Sequence, residues 1–412
     1  MSYQTKFTII IPTRDRCDTL IYAIFSALAQ DYENYKILVS DNASEDNTSN
    51  LVASLNDDRI QYVNTGTRVS MSHNWEFALS HVDDGWVTVL GDDDAILPGA
   101  LVLADRIIKE TGTLALRSNG CSYSWPSLLS GRFGDLSVSL EKGYRRVRSG
   151  EALANVMRGN LHYNKLPVLY NGGFIHVSLV KKAKTITGQF FLSMTPDVYS
   201  AMVFALLTDE YVYSNEPLAI NGASHHSGGT AGFEKEKIKR SYDPAVKFWN
   251  EKNIPFHKYL PMLADGRPVR SIAAIVYEAY LQASPFHHFK QLTVLPDQQL
   301  ELILKTAAPH IDEVFQWGES FAQQQQLDYE EINRKAFSVT NSFIRKRNNY
   351  SLIFNSLVYN FSVRGSSRVP LTDVYEASVI AGHLMENRPC VINRIYGMLS
   401  QLISIFKSKF FK

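Results

Sequence analysis

Residues 7–90 alternate short apolar strands with amphipathic helical stretches, and this order restricts the fold more than any other property of the chain. Phe7-Thr8-Ile9-Ile10-Ile11 is an apolar, β-branched run that stops at Pro12. Leu20, Ile24 and Leu28 then share one face of a helix expected from about Asp18 to Ala29. Tyr35 to Val39 reads as a second strand ending at Ser40-Asp41, and Arg59 to Val63 as a third. Ser70 or Ser72 can cap a short helix through Trp75, Ala78 and Leu79, and Trp86 to Leu90 reads as a fourth strand. Strands alternating with helices predict a mostly parallel sheet with helices on both faces. Such sheets bind ligands at the carboxyl ends of their strands. Pro12-Thr13, Asp41 and the acidic run Asp92-Asp93-Asp94 all fall at such ends and are expected to share one crevice.

The acidic run carries the most chemistry. Three adjacent carboxylates at the mouth of a buried strand repel one another and are costly to desolvate. A hard divalent cation, Mg2+ or Mn2+, would neutralise them and bridge to a diphosphate. The alternative is an acidic turn capping a helix that starts near Pro98. Asp46 is open between a helix N-cap and a ligand contact.

The rest of the chain is less explicit. Residues 114–223 mix short strands with a glycine corner at Asn171-Gly172-Gly173, and a helix begins near Thr195-Pro196-Asp197. Residues 224–240 read as a loop, and a helical pattern follows from about Tyr242, including Ser271 to Ala283. The division expected is therefore 1–240, with halves 1–110 and 111–240, followed by a helical region 241–412. In the tail, 391–412, Ile392, Ile395, Tyr396, Leu399, Leu402, Phe406 and Phe410 form an apolar stripe ending among lysines. That pattern suits either an anionic membrane surface or a helix packed on protein.

A net charge of +1 gives no reason to expect a nucleic-acid partner. Three scattered cysteines, Cys17, Cys121 and Cys390, fit a reducing compartment. With no signal peptide and no long apolar run evident, the expectation is a cytoplasmic protein, or one peripheral on the inner face of the cell membrane.

Four strings resemble the family-2 glycosyltransferases in order and spacing. They are Ile11-Pro12-Thr13-Arg14-Asp15-Arg16, Ala23 to Tyr32, Val39-Ser40-Asp41-Asn42-Ala43-Ser44-Glu45-Asp46-Asn47-Thr48, and Leu90-Gly91-Asp92-Asp93-Asp94-Ala95-Ile96-Leu97-Pro98. The resemblance covers about residues 6–105 and weakens beyond. It implies a GT-A fold and inverting transfer from a nucleotide diphosphate sugar to an acceptor hydroxyl in polysaccharide or glycoconjugate synthesis, the acceptor being a glycan or lipid-linked glycan. It implies that Pro12, Thr13 and Arg14 lie beside the base and that Asp41 accepts a hydrogen bond from it, which favours UDP. Arg68 and Asn74 fall where the family places donor contacts. Gly91 stands where many members carry the first Asp of Asp-x-Asp. The resemblance then puts Asp93 on the metal, Asp92 on ribose or a metal water, and Asp94 beside the metal, where it accepts a supporting hydrogen bond or positions the sugar. The catalytic base falls on Asp197, with Pro196 where members often have Glu. Asp197 also reads as a first-turn residue favoured by the helix dipole. His225, ahead of His226, is a further metal candidate. A sugar-phosphate nucleotidyltransferase would open on a Gly-rich loop after the first strand, and none is present. A non-catalytic nucleotide-sugar-binding module would have lost the acidic run or Asp197, and both are present.

Overall fold

The computed structural model describes residues 4–227, 251, 253–337 and 360–387. The tail 391–412 and most of the 224–240 loop lie outside the described residues.

Eight strands form the larger sheet: β1 (Phe7–Thr13), β2 (Tyr35–Asp41), β3 (Ile60–Asn64), β4 (Trp86–Val89), β6 (Ala115–Ser118), β9 (Tyr144–Arg148), β10 (Gly173–His176) and β11 (Glu210–Ser214), in the order β3-β2-β1-β4-β10-β6-β11-β9. β3, β2, β1 and β4 run parallel, as the alternation predicts. β10 is antiparallel to both of its neighbours, so β6 and β11 again point the same way as β4. Alternate side chains of β1 feed two cores: Ile10 packs on one face with Val87 and Val89, while Phe7, Ile9 and Ile11 pack on the other with Trp86 and Leu90. This double burial is why the strands read as continuous apolar runs.

The helices fall close to their expected bounds. Cys17–Leu28 buries Leu20 and Ile24. Met71–Leu79 begins at Ser70, whose hydroxyl accepts from the His73 amide. Pro196–Leu207 is buried almost all round, as expected of a core helix.

Strand order leaves a second sheet that sequence pattern did not announce: β5 (Ala95–Ile96), β7 (Cys121–Ser124), β8 (Asp135–Ser139), β12 (Ala219–Ala223) and β13 (Asn360–Arg364), ordered β13-β8-β7-β12-β5. The C-terminal region is helical as expected, and within it β13 is a strand that the helical pattern did not announce. It covers the edge of β8, whose backbone groups would otherwise stand unpaired. Helix Val374–Glu386 then lies against Cys17–Leu28, with Tyr375 edge-on to Phe25. The remaining C-terminal elements are helical, led by Ile272–Gln282, which packs on Pro196–Leu207.

Candidate active site

The carboxyl ends of β1, β2 and β4 meet at one edge of the large sheet, and the turn after β4 brings the three aspartates there. All three are buried. Each is held differently.

Asp92 accepts from Thr13 Oγ1 at 2.9 Å and from Arg16 Nη1 at 2.9 Å. Burial pushes its carboxyl upward and the Arg16 charge pulls it back, while Asp93 adds repulsion. Asp94 accepts from the Gly222 amide at 2.7 Å, the Gly91 amide at 3.0 Å and Tyr170 Oη at 2.7 Å. Burial, then the Asp93 charge, raises it to about 8. Asp93 accepts through Oδ2 from Ser224 Oγ at 2.7 Å and Ser227 Oγ at 2.6 Å. Thus Asp94 is an anchor between two loops, Asp92 is tied to the end of β1, and Asp93 faces the 224–227 loop.

The glycines of the site are dictated by close approach. A Cβ at position 91 would lie 2.5 Å from Asp94 Oδ2 and 2.9 Å from Tyr170 Oη. The Asp that the family motif often carries there would displace the Asp94 carboxyl and the Tyr170 hydroxyl from their places. A Cβ on Gly222 would lie 1.7 Å from the Asp93 carbonyl oxygen.

The expected donor-side residues gather around β1 and β2. Pro12 and Thr13 pair with Ser40 and Asp41 across the strands. Arg14 forms an ion pair with Glu251, a residue remote in sequence. Asp41 is buried and accepts from the Ser44 amide at 2.9 Å, Tyr62 Oη at 2.5 Å and Asn64 Nδ2 at 3.2 Å. A carboxylate has about four lone-pair sites, so one remains for a donor group. Asn74 turns inward and spends its amide on Ser40, accepting from Oγ at 2.7 Å and donating to the carbonyl at 3.2 Å. It braces β2 from below. Arg68 pairs with Asp15 in a more open position. Asp46 accepts from the Cys17 amide and from the Thr48 amide and hydroxyl, so it caps the starts of two helices.

Asp197, half-buried at the first turn of its helix, accepts from Tyr163 Oη at 2.9 Å. Burial raises its carboxyl, and the Tyr163 hydrogen bond opposes that rise. The stretch from Tyr163 to Asn171 also carries Tyr170, the partner of Asp94. One segment therefore ties the acidic run to Asp197. The turn before the helix is fixed from the C-terminal region: Ser193 Oγ donates to the buried Glu278 at 2.6 Å, and the Thr195 amide donates to Ser193 Oγ at 3.3 Å.

His225 does not stand alone. It groups with Asp18 and His226, their ligand atoms all within 4.8 Å of one another. Arg16 links this group to the acidic run, donating through Nη2 to the His226 carbonyl at 2.7 Å. The exposed Asp18 carboxylate beside two imidazoles is a donor set that fits Mn2+, and the buried Asp93 with the Ser224 and Ser227 hydroxyls offers oxygen ligands that fit Mg2+ or Mn2+.

Pattern reading missed Arg16, Tyr163, Tyr170, Ser224, Ser227 and Glu278. Arg16 sits inside a motif already singled out. The others have no local signal, because each meets its carboxylate across a long stretch of chain.

Residues 8–115 match the family model for glycosyl transferase family 2. A GalNAc(5)-diNAcBac-PP-undecaprenol beta-1,3-glucosyltransferase of Campylobacter jejuni is 38% identical over 99 residues, a segment covering 23% of this chain and 32% of that relative. S. aureus TarS 1-349 in complex with UDP-GlcNAc superposes with a TM-score of 0.46 at 16% identity, over 80% of this chain and 90% of that one. For a mannosyltransferase from Pyrobaculum calidifontis in complex with GDP-Man and Mn2+, the TM-score is 0.39 at 16% identity, over 82% and 89%. Residues 8–115, the segment that carries β1 to β4 and the acidic run, are therefore similar to glycosyl transferase family 2, and the chain spans about a third of the length of the curated relative it matches.

Proposed function

We propose that this chain is an inverting glycosyltransferase that moves a sugar from a nucleotide diphosphate sugar, a UDP-sugar in the first instance, to an acceptor hydroxyl. The observation that carries this reading is the joining of Asp197 and the acidic run by the single segment 163–171 at one edge of the sheet. The base would lie against the Pro12–Arg14 end of β1, with Asp41 accepting from it. Asp93 and the loop bearing His225 would hold a divalent cation, with Asp94 acting as the anchor of that loop system. A bound cation neutralises the donor diphosphate.

In the transfer, the acceptor oxygen attacks the anomeric carbon while the bond from that carbon to the diphosphate oxygen breaks. The electron pair leaves with the nucleotide diphosphate, and Asp197 takes the acceptor proton. Tyr163 holds the carboxylate in place for this, and Arg16 holds Asp92 against β1. The Campylobacter relative is named for a glycan on an undecaprenol diphosphate. A lipid-linked glycan is the corresponding acceptor for this chain. No helix among the described residues is long and apolar enough to cross a membrane, and the tail 391–412 is the element proposed for contact with a membrane surface.

Thermal unfolding with UDP, dTDP, GDP, CDP and ADP, each with and without Mn2+, tests the donor assignment, since a ligand of the native state raises stability by mass action. Metal-dependent stabilisation by UDP is expected. No response to any nucleotide would overturn the reading.

A further inference from the structure

The acceptor half carries a concentration of positive charge that the transfer chemistry above does not use. Arg117 is buried, and its guanidinium donates only to carbonyl oxygens: Asn164 at 2.6 Å, Tyr170 at 3.0 Å and Asn171 at 2.6 Å. Lys165, half-buried, donates through Nζ to Asn119 Oδ1 at 3.0 Å and to Tyr213 Oη at 2.7 Å, both neutral groups. Arg145 stacks its guanidinium 4.5 Å over the Tyr213 ring and donates to Asn215 Oδ1 at 2.6 Å. Among the described residues none of the three forms an ion pair with a carboxylate, whereas Arg146 and Arg148 of the same strand do.

Clustered cations without counter-charge are costly when water is excluded. Lys165 registers this: burial, then the charges of Arg117 and Arg145, brings its amine down to about 8, and Glu141 opposes the shift without pairing with it. An anion at this point would remove the cost. Arg and Lys together on an aromatic platform suit a phosphate or a carboxylate.

The cluster's place in the sheet says which molecule would bring that anion. β6 and β11 run parallel to each other, and β6 runs the same way as β4, since β10 opposes both β4 and β6. Asn119 after β6 and Tyr213 near the end of β11 therefore emerge at the edge that holds the acidic run. In the sheet order β6 lies two strands from β4, β11 three and β9 four, so at ~4.8 Å per strand the cluster spans about 10 to 19 Å from the acidic run along the sheet edge, with Asn119 nearest. Lys165 lies two residues from Tyr163, the partner of Asp197. The donor's own phosphates belong at the aspartates, which leaves the acceptor.

We infer that Lys165, Arg145 and Asn119 form a binding site for an anionic group of the acceptor, a phosphate or a carboxylate, which sets the attacking hydroxyl beside Asp197. This inference rests on the transferase reading. A lipid-linked glycan supplies the anion as phosphate, and an acidic sugar supplies it as carboxylate.

The test is residue-specific trace acetylation of the full chain, read by peptide mass spectrometry with saturating UDP and Mn2+ occupying the donor site. Inorganic phosphate, glucuronate and chloride are compared at equal ionic strength. Labelling of Lys165 should fall about threefold when the effective anion stands at twice its Kd, while Lys181 and Lys182 are unaffected. Protection by phosphate alone assigns a phosphorylated acceptor, and protection by glucuronate alone an acidic sugar. Arg145→Gln, on an exposed strand where folding is not at stake, should abolish the protection. Equal labelling of Lys165 in all three anions, or unchanged protection in Arg145→Gln, would overturn the site. Stabilisation by UDP is read separately, so failure of the donor assignment is not confused with failure of the anion site.

Discussion

The proposed donor side and the proposed acceptor side of the site are built by different means. On the donor side, β1, β2 and β4 end in motifs whose side chains are fixed by neighbours at the same sheet edge: Thr13 and Arg16 hold Asp92, and Tyr62 and Asn64 hold Asp41. On the acceptor side, Asp197 is held by Tyr163 from a wandering segment, and its turn is fixed by Glu278 from the C-terminal helices. Parallel strands bring their own ends together with little help. The other side needs segments from much of the chain, Tyr163 and Glu278 among them, before the Asp197 carboxylate is placed.

The contrast is broken most severely at Asp93. Asp93→Ala should abolish metal-dependent nucleotide binding, removing about 2.7 kcal/mol of stabilisation at a ligand concentration of about 100 Kd. Thermal unfolding with UDP and Mn2+ checks this, and retained metal-dependent protection would move the cation elsewhere. Asp197→Asn should do the reverse: UDP stabilisation is kept, and kcat falls by about 10²–10⁴, the usual worth of a general base. Transfer at the wild-type rate would remove Asp197 from that role.

Glu278 sharpens the comparison by stability alone. Burial raises its carboxyl to about 7 from an ordinary 4.5, partly offset by Ser193 and Gln282. The folded state thus holds a proton that the unfolded state has released. The associated stability is full below pH 4.5 and is lost as pH rises through about 7. The loss is on the order of 3 kcal/mol. Urea unfolding at either end of that range should show the decline in the wild type and a flatter profile in Glu278→Gln. Parallel profiles would show that Glu278 does not titrate with folding.

Gly91→Asp, which restores the motif's missing carboxylate, should destabilise the protein by about 1–3 kcal/mol by overpacking against Asp94 and Tyr170. Chemical denaturation measures it, and an unchanged midpoint would mean that the turn relaxes freely. The smallest effect belongs to Tyr163→Phe. Removing a hydrogen bond worth about 1 kcal/mol from the ionised Asp197 raises its pKa, so the acid limb of the kcat/KM profile should move up by somewhat less than about one pH unit. An unmoved limb would reduce Tyr163 to a packing residue.

The donor side was legible because its signals are local. Strand periodicity placed β1 to β4, and Pro12, Thr13, Asp41 and Asp92 to Asp94 followed at their ends. The acceptor side was legible only at Asp197, through its position opening a helix. Tyr163, Tyr170 and Glu278 meet their partners across 34, 76 and 85 residues, and no spacing rule reaches that far. Asn74 shows the limit from the other side, since its position in the chain suits a ligand and nothing local announces the two hydrogen bonds that its buried amide exchanges with Ser40.

By itself, then, the sequence determined the parallel strands, the edge where they end and the carboxylates gathered there. These follow from side-chain periodicity and from the direction of each strand. Tertiary structure alone decided how the three aspartates are held, why a side chain at position 91 would crowd Asp94 and Tyr170, and which distant helix steadies the turn before Asp197. Each of those depends on donors and van der Waals neighbours brought within a few ångströms by chain segments remote in sequence.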